Sequence, residues 1–482
     1  MSYLSPLDAA FLRMESVRTP MHVGSLMTFQ LPEDAPPDFL HRLLDEMRKR
    51  PFMPEPFGSR LKEGRLARIA PSWEPATVDM DYHLRHSALP YPGGERELGI
   101  LVSRLHSHPL DFSRPLWECH VIEGLAPRPG QKGGRFAMYF KAHHCAIDGM
   151  GAIRMMQKWL STDPESSKVA GPWVLAAKPP EPSRKRKQTL MDRLRAPAKA
   201  AADQARGFRE LVKGLRTMTA GADSGARMAM STPRSLFNQK ISQQRRLGTQ
   251  ILELPRLKAV ADAVDVTIND VLLAVVGGAA RRYLLELKAL PEKSLLASVP
   301  VGLQRPDGKP GNAAAGFVAP LGTELADPVE RLKWIKRVTE RSKRELQALP
   351  PAALNQLALL GISPMLLGQM AGVLPRLPPI FNFVVSNVVL AKKALFLMGA
   401  ELEAMYPVSF LFDGYAINIT LVGYNDKVAI GVLGCREAVP SLQRLAVYMS
   451  DSLAELEAAT VVGRRARSRP ALGPGPARQP GP

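Results

Sequence analysis

Arg135-Phe136-Ala137-Met138-Tyr139-Phe140-Lys141-Ala142-His143-His144-Cys145-Ala146-Ile147-Asp148-Gly149 is the stretch that decides the reading of this chain. Phe136, Met138 and Phe140 alternate on one face, the period-2 pattern of a strand. After the motif, Ile153, Met156 and Leu160 fall at helical spacing. The histidines are therefore expected at a strand-to-helix junction, where side chains are held firmly and still face a cleft. Two imidazoles stand four and five residues ahead of a carboxylate, and Gly149 closes the run with a residue that permits close backbone approach.

This is equipment for taking a proton from a hydroxyl group. An alcohol is a poor nucleophile at neutral pH, and a histidine with a pKa near ~6.5 accepts its proton as the new bond forms. If the electrophile is already activated, as in a thioester, one well-placed base suffices. His143 and His144 both fit that base on spacing alone. Asp148 fits two roles, orienting the histidine as in a triad or holding the loop by pairing with a cation; the second is favoured, with Arg305 as the cation. A metal site is the sharpest rival, because His144 and Asp148 would share a face if the loop were helical. His83 and His86 offer no third ligand at convincing spacing, and serine hydrolysis lacks a GxSxG elbow.

The rest of the chain sets bounds. Its 482 residues exceed what one hydrophobic core usually serves, so two domains are expected. Hydrophobic residues at 45% and charged residues at 23% describe an ordinary globular protein. Cys119, Cys145 and Cys435 lie far apart without a CxxC pair, which argues against a disulfide framework or zinc site and fits a reducing cytoplasm. No signal-peptide pattern opens the chain and no apolar run reaches the length of a bilayer span. The formal charge of +19 points to a large single-sign surface or to an anionic partner: nucleic acid, anionic lipid or a polyphosphate cofactor.

The charge is unevenly placed. Between Arg184 and Arg216, eleven Lys/Arg stand against three acids, and the tail adds Arg464, Arg465, Arg467, Arg469 and Arg478. Within that basic segment Phe208, Leu211, Val212 and Leu215 fall at i, i+3, i+4 and i+7 with basic residues interleaved, an amphipathic helix suited to a connector or an anionic lipid surface. A nucleic-acid role is disfavoured, since no aromatic stacking platform accompanies the run. The expected organisation is a first unit over 1–177, a basic connector over 178–246, a second unit over 247–460 and a disordered Arg/Pro/Gly tail over 461–482. In the second unit an apolar helix is expected from Val271 to about Leu287, capped by Thr267 or Asn269. Strands are expected at Leu295 to Val301, Ile380 to Val385, Ile417 to Tyr424 and Val428 to Leu433, with a last helix from about Ser441 to Ala458.

At the HHxxxDG motif the chain resembles the bacterial wax ester synthase/acyl-CoA:diacylglycerol acyltransferase family, over Leu4 to about Leu456. The resemblance is carried in order by Leu4-Ser5-Pro6-Leu7-Asp8-Ala9, Pro20-Met21-His22-Val23-Gly24, Arg114-Pro115-Leu116-Trp117, Asn269-Asp270, Ser298-Val299-Pro300-Val301, Ser386-Asn387-Val388 and Asp413-Gly414. HHxxxDG alone would be shared with peptide-synthetase condensation domains; the ordered set is specific. The resemblance implies an α/β fold of two chloramphenicol-acetyltransferase-like domains facing across a central channel, joined here by the basic helical connector. It implies His144 as catalytic base with His143 as its supporting neighbour, and Asp148 and Gly149 as residues that maintain the loop. It implies a catalytic part for Asn269 around the developing oxyanion, beside Asp270, and packing or channel-wall roles for Pro115, Leu116, Trp117, Ser386 and Asn387. One departure is visible: the family commonly continues Ser-Asn-Val with Pro-Gly-Pro, whereas here Val389-Leu390-Ala391-Lys392 follows.

The function expected from this is O-acyl transfer from a long-chain fatty acyl-CoA, the co-substrate, to diacylglycerol or a long-chain alcohol, with no metal or redox cofactor. The alternatives are an acyltransferase for another specialised alcohol or carrier-bound substrate, and a catalytically silent lipid-binding scaffold. Apolar substrates favour a cytoplasmic protein peripherally attached to the inner membrane or to lipid inclusions.

Overall fold

The run that opens the motif is a strand, Arg135–His143, and all nine of its residues are buried. Phe136, Met138, Phe140 and Ala142 enter one core with Met27, Phe29 and Trp117. Ala137 and Tyr139 face the other way, into a core that holds Leu98 and Val102 together with Tyr406, Ile430 and Leu433 from the second half of the chain. A strand apolar on both sides belongs inside a layered structure. The computed structural model describes residues 2–49, 53–64, 69–166, 170–174, 232–302, 314–347 and 364–462, with residues 202, 205, 206 and 209.

Two six-stranded sheets organise these residues. The first runs in the order Phe396–Leu397, Ala400–Val408, His22–Gln30, Arg135–His143, Trp117–Leu125, Leu84–Ala88, antiparallel except for its last pair. The second runs Ala314–Pro320, Leu296–Gly302, Phe383–Ala391, Ile417–Tyr424, Lys427–Cys435, Arg245–Glu253, parallel where Phe383–Ala391 meets its two neighbours. A three-stranded sheet of Ser2–Tyr3, Ser72–Pro75 and Ser59–Leu61 stands apart from both. The tight hairpin between Ile417–Tyr424 and Lys427–Cys435 turns on Asn425, whose φ of 52° suits asparagine.

The sheets do not follow the order of the chain. Ala400–Val408 lies in the first sheet, antiparallel to His22–Gln30, and its register skips Glu403 between Leu402 and Ala404 as a bulge. It also meets the second sheet. A Cβ on Gly431 would lie 1.9 Å from the Pro407 carbonyl oxygen, so a residue without one is needed where the two backbones touch.

The expected elements are largely in place, with shifted ends. The apolar helix is Ile268–Glu286, started by a Thr267–Asp270 capping box, so Thr267 and not Asn269 caps it. The last helix is Leu442–Glu457. The strand expected to stop at Val385 runs on through Ala391, with Val388 opposite Val422 and Val389 opposite Gly423 before a bulge. Where Pro-Gly-Pro would break the ladder, Val389 and Leu390 extend it. Of the basic segment, only Ala202, Ala205, Arg206 and Arg209 are described, each helical and exposed. Arg184 to Lys187, Phe208, Leu211, Val212, Leu215, Arg305 and the tail from Gly463 lie outside the described residues. No helix among the described residues is long and apolar enough to cross a membrane.

Candidate active site

The strand ends because its hydrogen bonds are diverted. The His143 N–H donates to the Leu116 carbonyl at 3.0 Å, and the His143 carbonyl accepts from Ala146 at 2.9 Å and Ile147 at 3.3 Å. That tight turn takes His144 out of the strand, and its own N–H is held by the Met21 carbonyl at 2.8 Å. Pro115-Leu116-Trp117 thus acts on the motif through Leu116. Trp117 is 1% exposed, donates its indole N–H to the Phe57 carbonyl at 3.0 Å and stacks on both His83 and Trp173 at 4.5 Å. It is core, and no ring contact joins it to either motif histidine among the described residues.

The two imidazoles are held differently. His143 is 1% exposed, and its Nδ1 accepts the Cys145 N–H at 3.1 Å. A ring nitrogen that accepts carries no proton, so the neutral ring has its proton on Nε2. That Nε2 faces Glu15 Oε2 at 3.4 Å, short of a formed hydrogen bond, while Phe112 meets the ring edge-on at 5.5 Å. His143 is thus hydrogen-bonded through Nδ1 and faces a carboxylate through Nε2.

His144 is half-buried. Its ring stacks on Phe11 at 4.0 Å and meets Phe410 edge-on at 5.3 Å, and its Nδ1 is buried without a hydrogen-bond partner among the described residues. Burial disfavours the charged ring, the neighbouring His143 adds to that effect, and the pKa is lowered to about 4. A neutral imidazole with an uncommitted nitrogen is a proton acceptor. Geometry separates two histidines that spacing left equivalent.

The walls of His144 come from distant segments. Phe11 rides on helix Pro6–Met14, which Ser5 caps through the Asp8 N–H at 3.1 Å. Phe410 follows strand Ala400–Val408, and its neighbour Ser409 is pinned by His106, whose Nε2 donates to the Ser409 carbonyl at 2.7 Å. Since Nε2 donates, His106 Nδ1 accepts from the Tyr139 hydroxyl at 2.6 Å. Burial, with Lys141 adding to it, holds the His106 pKa down at about 3. Lys141 donates to the Leu105 and His108 carbonyls at 3.0 and 2.9 Å and pairs with Glu118 at 3.3 Å. Tyr139 and Lys141, on the polar side of the motif strand, are thus hydrogen-bonded supports beneath the histidines.

Asp148 is the N-cap of helix Gly149–Trp159 and accepts the Gly151 N–H. Because the helix starts only at Gly149, His144 and Asp148 do not share a helical face, and the premise of a metal pair there fails. No group of three or more His, Cys, Asp or Glu able to hold a metal occurs among the described residues. His86 instead pairs with Glu123 at 3.2 Å. The glycine argument also moves. A Cβ on Gly149 would meet nothing within 4 Å, whereas one on Gly151 would lie 2.8 Å from Asp148 Oδ1. Gly151 is the glycine that the loop needs.

The remaining candidates spread out. Asn269 sits half-buried at the second position of helix Ile268–Glu286, and no hydrogen bond, ion pair or ring contact joins it to the motif among the described residues. Asp270 is buried, receives Thr267 N–H and hydroxyl at 3.0 and 2.7 Å, and receives the Thr339 hydroxyl at 2.6 Å. Ser386 and Asn387 lie in strand Phe383–Ala391, opposite Thr420 and Leu421, with Asn387 exposed. The prolonged end of that strand does reach the motif helix: Gln157 donates to the Leu390 carbonyl at 2.6 Å. Sequence reading missed Phe11, Glu15, Gly151 and Phe410. Phe11 and Glu15, one helical turn apart between two stretches already singled out, were the findable pair.

The chain is similar to known proteins in sequence and in fold. Residues 4–272 match the wax ester synthase/diacylglycerol acyltransferase catalytic domain, and residues 310–457 match the WS/DGAT C-terminal domain. A protein of Mycobacterium tuberculosis provisionally named a diacylglycerol O-acyltransferase is 50% identical, over 96% of this chain and 100% of that one. The O-acyltransferase WSD of Acinetobacter baylyi is 35% identical over 93% of this chain and 96% of its own length. The solved wax ester synthase/diacylglycerol acyltransferase of Marinobacter aquaeolei VT8 superposes with a TM-score of 0.77 at 36% identity, covering 96% of this chain and 100% of that one. The first condensation domain of the calcium-dependent antibiotic synthetase, at 18% identity and a TM-score of 0.56 over 95% of this chain and 96% of its own, shares the fold alone. The fold is the expected one of two chloramphenicol-acetyltransferase-like units. The chain belongs to the wax ester synthase/diacylglycerol acyltransferase family and is an O-acyltransferase.

Proposed function

We propose that this protein transfers a long-chain fatty acyl group from acyl-CoA to diacylglycerol or a long-chain alcohol, with His144 as general base. The observation that carries the mechanism is the contrast between the two imidazoles. His143 has one nitrogen hydrogen-bonded to the Cys145 N–H and the other 3.4 Å from the Glu15 carboxylate, whereas the His144 ring lies between Phe11 and Phe410 with a pKa lowered to about 4. His144 takes the hydroxyl proton as the acceptor oxygen bonds to the thioester carbonyl carbon. The carbon–sulfur bond then breaks, and the imidazolium returns its proton to the CoA thiolate. No covalent enzyme intermediate is needed. Phe11 and Phe410 supply apolar walls to the ring, which disfavour its charged form.

The products decide the matter. Purified protein given palmitoyl-CoA with hexadecanol and diacylglycerol in competition should release thiol and form ester in equal amounts. His144→Ala should lower that release by about 100-fold or more. Thiol release at the wild-type rate in His144→Ala would remove His144 from the role, and release without ester would make the protein a hydrolase. Apolar substrates also support a place at the cytoplasmic face of the inner membrane or on lipid inclusions, with the basic segment Arg184 to Arg216 as the contact. Replacing its arginines and lysines with glutamine should weaken binding to anionic vesicles; undiminished binding would dismiss that contact.

A further inference from the structure

Three contacts close a ring around the motif. Glu15 Oε2 accepts the Met21 N–H, the Met21 carbonyl accepts the His144 N–H at 2.8 Å, and the same Glu15 oxygen stands 3.4 Å from His143 Nε2. Glu15 thereby touches the mounting of both imidazoles. It sits at the C-terminal end of helix Pro6–Met14, the helix whose Phe11 stacks on His144. Its side chain is only 13% exposed, and a carboxylate so withdrawn from water is stable only with donors at hand. The Met21 N–H is one. A His143 Nε2–H is the other.

The requirement runs both ways. His143 can accept from Cys145 through Nδ1 only while its proton is on Nε2. An acceptor facing Nε2 favours that tautomer, as a carboxylate does for the histidine of a hydrolase triad. The 3.4 Å approach closes to a hydrogen bond with a small rotation, of the kind that unliganded sites leave to be made when substrate arrives.

We infer that Glu15 is a positioning residue for acyl transfer: its acceptor oxygen fixes His143 as the Nε2–H tautomer and so holds the His143–Cys145 turn that carries His144. The inference rests on His144 being the base. Glu15 acts through Met21 and His143, and its effect belongs to kcat.

Two measurements test it. In wild-type protein, long-range nitrogen NMR on histidine-labelled chain should find His143 protonated on Nε2; a proton on Nδ1 overturns the inference without any variant. Glu15→Met keeps the length and removes the acceptor. It should lower kcat by about tenfold or more, the scale of a misplaced catalytic group, with KM for acyl-CoA little changed and the Nε2–H form of His143 diminished. Glu15→Gln returns an acceptor oxygen and should recover most of the rate and the tautomer. A wild-type kcat in Glu15→Met, a fallen kcat with the tautomer unchanged, or a Gln variant no better than Met each overturns it. His144→Ala run alongside separates the two claims: if it keeps wild-type thiol release the base assignment fails, whereas a silent His144→Ala beside a fully active Glu15→Met removes Glu15 alone.

Discussion

A base with a pKa near 4 is unprotonated through the whole neutral range, so its titration should not shape activity there. The rate should stay flat from pH 8 down to about 5.5 and fall as His144 takes up a proton around pH 4. Stability behaves differently, through linkage. His106 is held near 3 in the fold against about 6.5 in an unfolded chain, so below pH 6.5 the unfolded state gains a proton that the folded state refuses. Its contribution is complete above pH 6.5 and erodes by about 1.4 kcal/mol per pH unit as pH falls towards 3. The fully buried His22, also lowered by burial, pulls in the same direction. Melting followed from pH 7.5 to 5 should therefore show loss of stability before initial rates show any ionisation. An ionisation of kcat near 6.5 in intact protein would mean that His144 is not the titrating base. The motif and its place at a strand-to-helix junction were legible in the sequence because local spacing marks both, whereas spacing left the choice between His143 and His144 open. Phe410 was not, because what it does for His144 depends on where the fold brings it.

Local elements explain why Asp148 need not be a catalytic carboxylate. As an N-cap it donates no proton and receives the Gly151 N–H, a role that asparagine fills about as well. Asp148→Asn should keep stability within about 0.5 kcal/mol and most of the activity, whereas the same change in a triad lowers kcat by about 10⁴. Asp148→Ala should cost about 1 kcal/mol, and Gly151→Ala should do similar harm by pressing a Cβ against the cap. Urea unfolding and initial rates on the three variants decide between cap and triad. Asn269 is open to a parallel separation, because Thr267 caps its helix. If Asn269 positions the oxyanion, Asn269→Ala should leave stability nearly unchanged and lower kcat by about 100-fold; unaltered kcat would make it a surface residue of the helix. Elements were legible where periodicity was undisturbed, as at Ile417–Tyr424, whose bounds match expectation. Ala400–Val408 carries Glu401, Glu403 and Pro407, a composition that local preference reads as loop, and it forms a strand because a partner strand and a buried arginine accept it.

That strand ties the halves of the molecule together, and its bulge shows how. Extrusion of Glu403 aims its carboxylate at Arg135, the first residue of the motif strand, with Nε at 2.9 Å and Nη2 at 2.8 Å from one oxygen. Both side chains are almost wholly buried, Gln131 adds a hydrogen bond at 3.0 Å, and Glu95 is the second carboxylate on Arg135 at 3.1 Å. Burial opposes the Glu403 charge, and Arg135 with Gln131 outweighs it, so the carboxyl titrates below its usual range. Removing Glu403 leaves the buried Arg135 charge with only the half-exposed Glu95, so Glu403→Ala should destabilise by about 2 kcal/mol in urea unfolding. Replacing Arg135 and Glu403 together with methionine should recover much of that loss, because no uncompensated charge remains. The consequence for catalysis follows from the chain: Phe410 stands two residues beyond Val408, so loosening this strand loosens a wall of His144. Glu403→Ala should therefore lose rate at temperatures where it is still folded, and the double methionine variant should regain it. A Glu403→Ala protein with full rate up to its melting point would show that Phe410 is held by Ser409 and His106 alone.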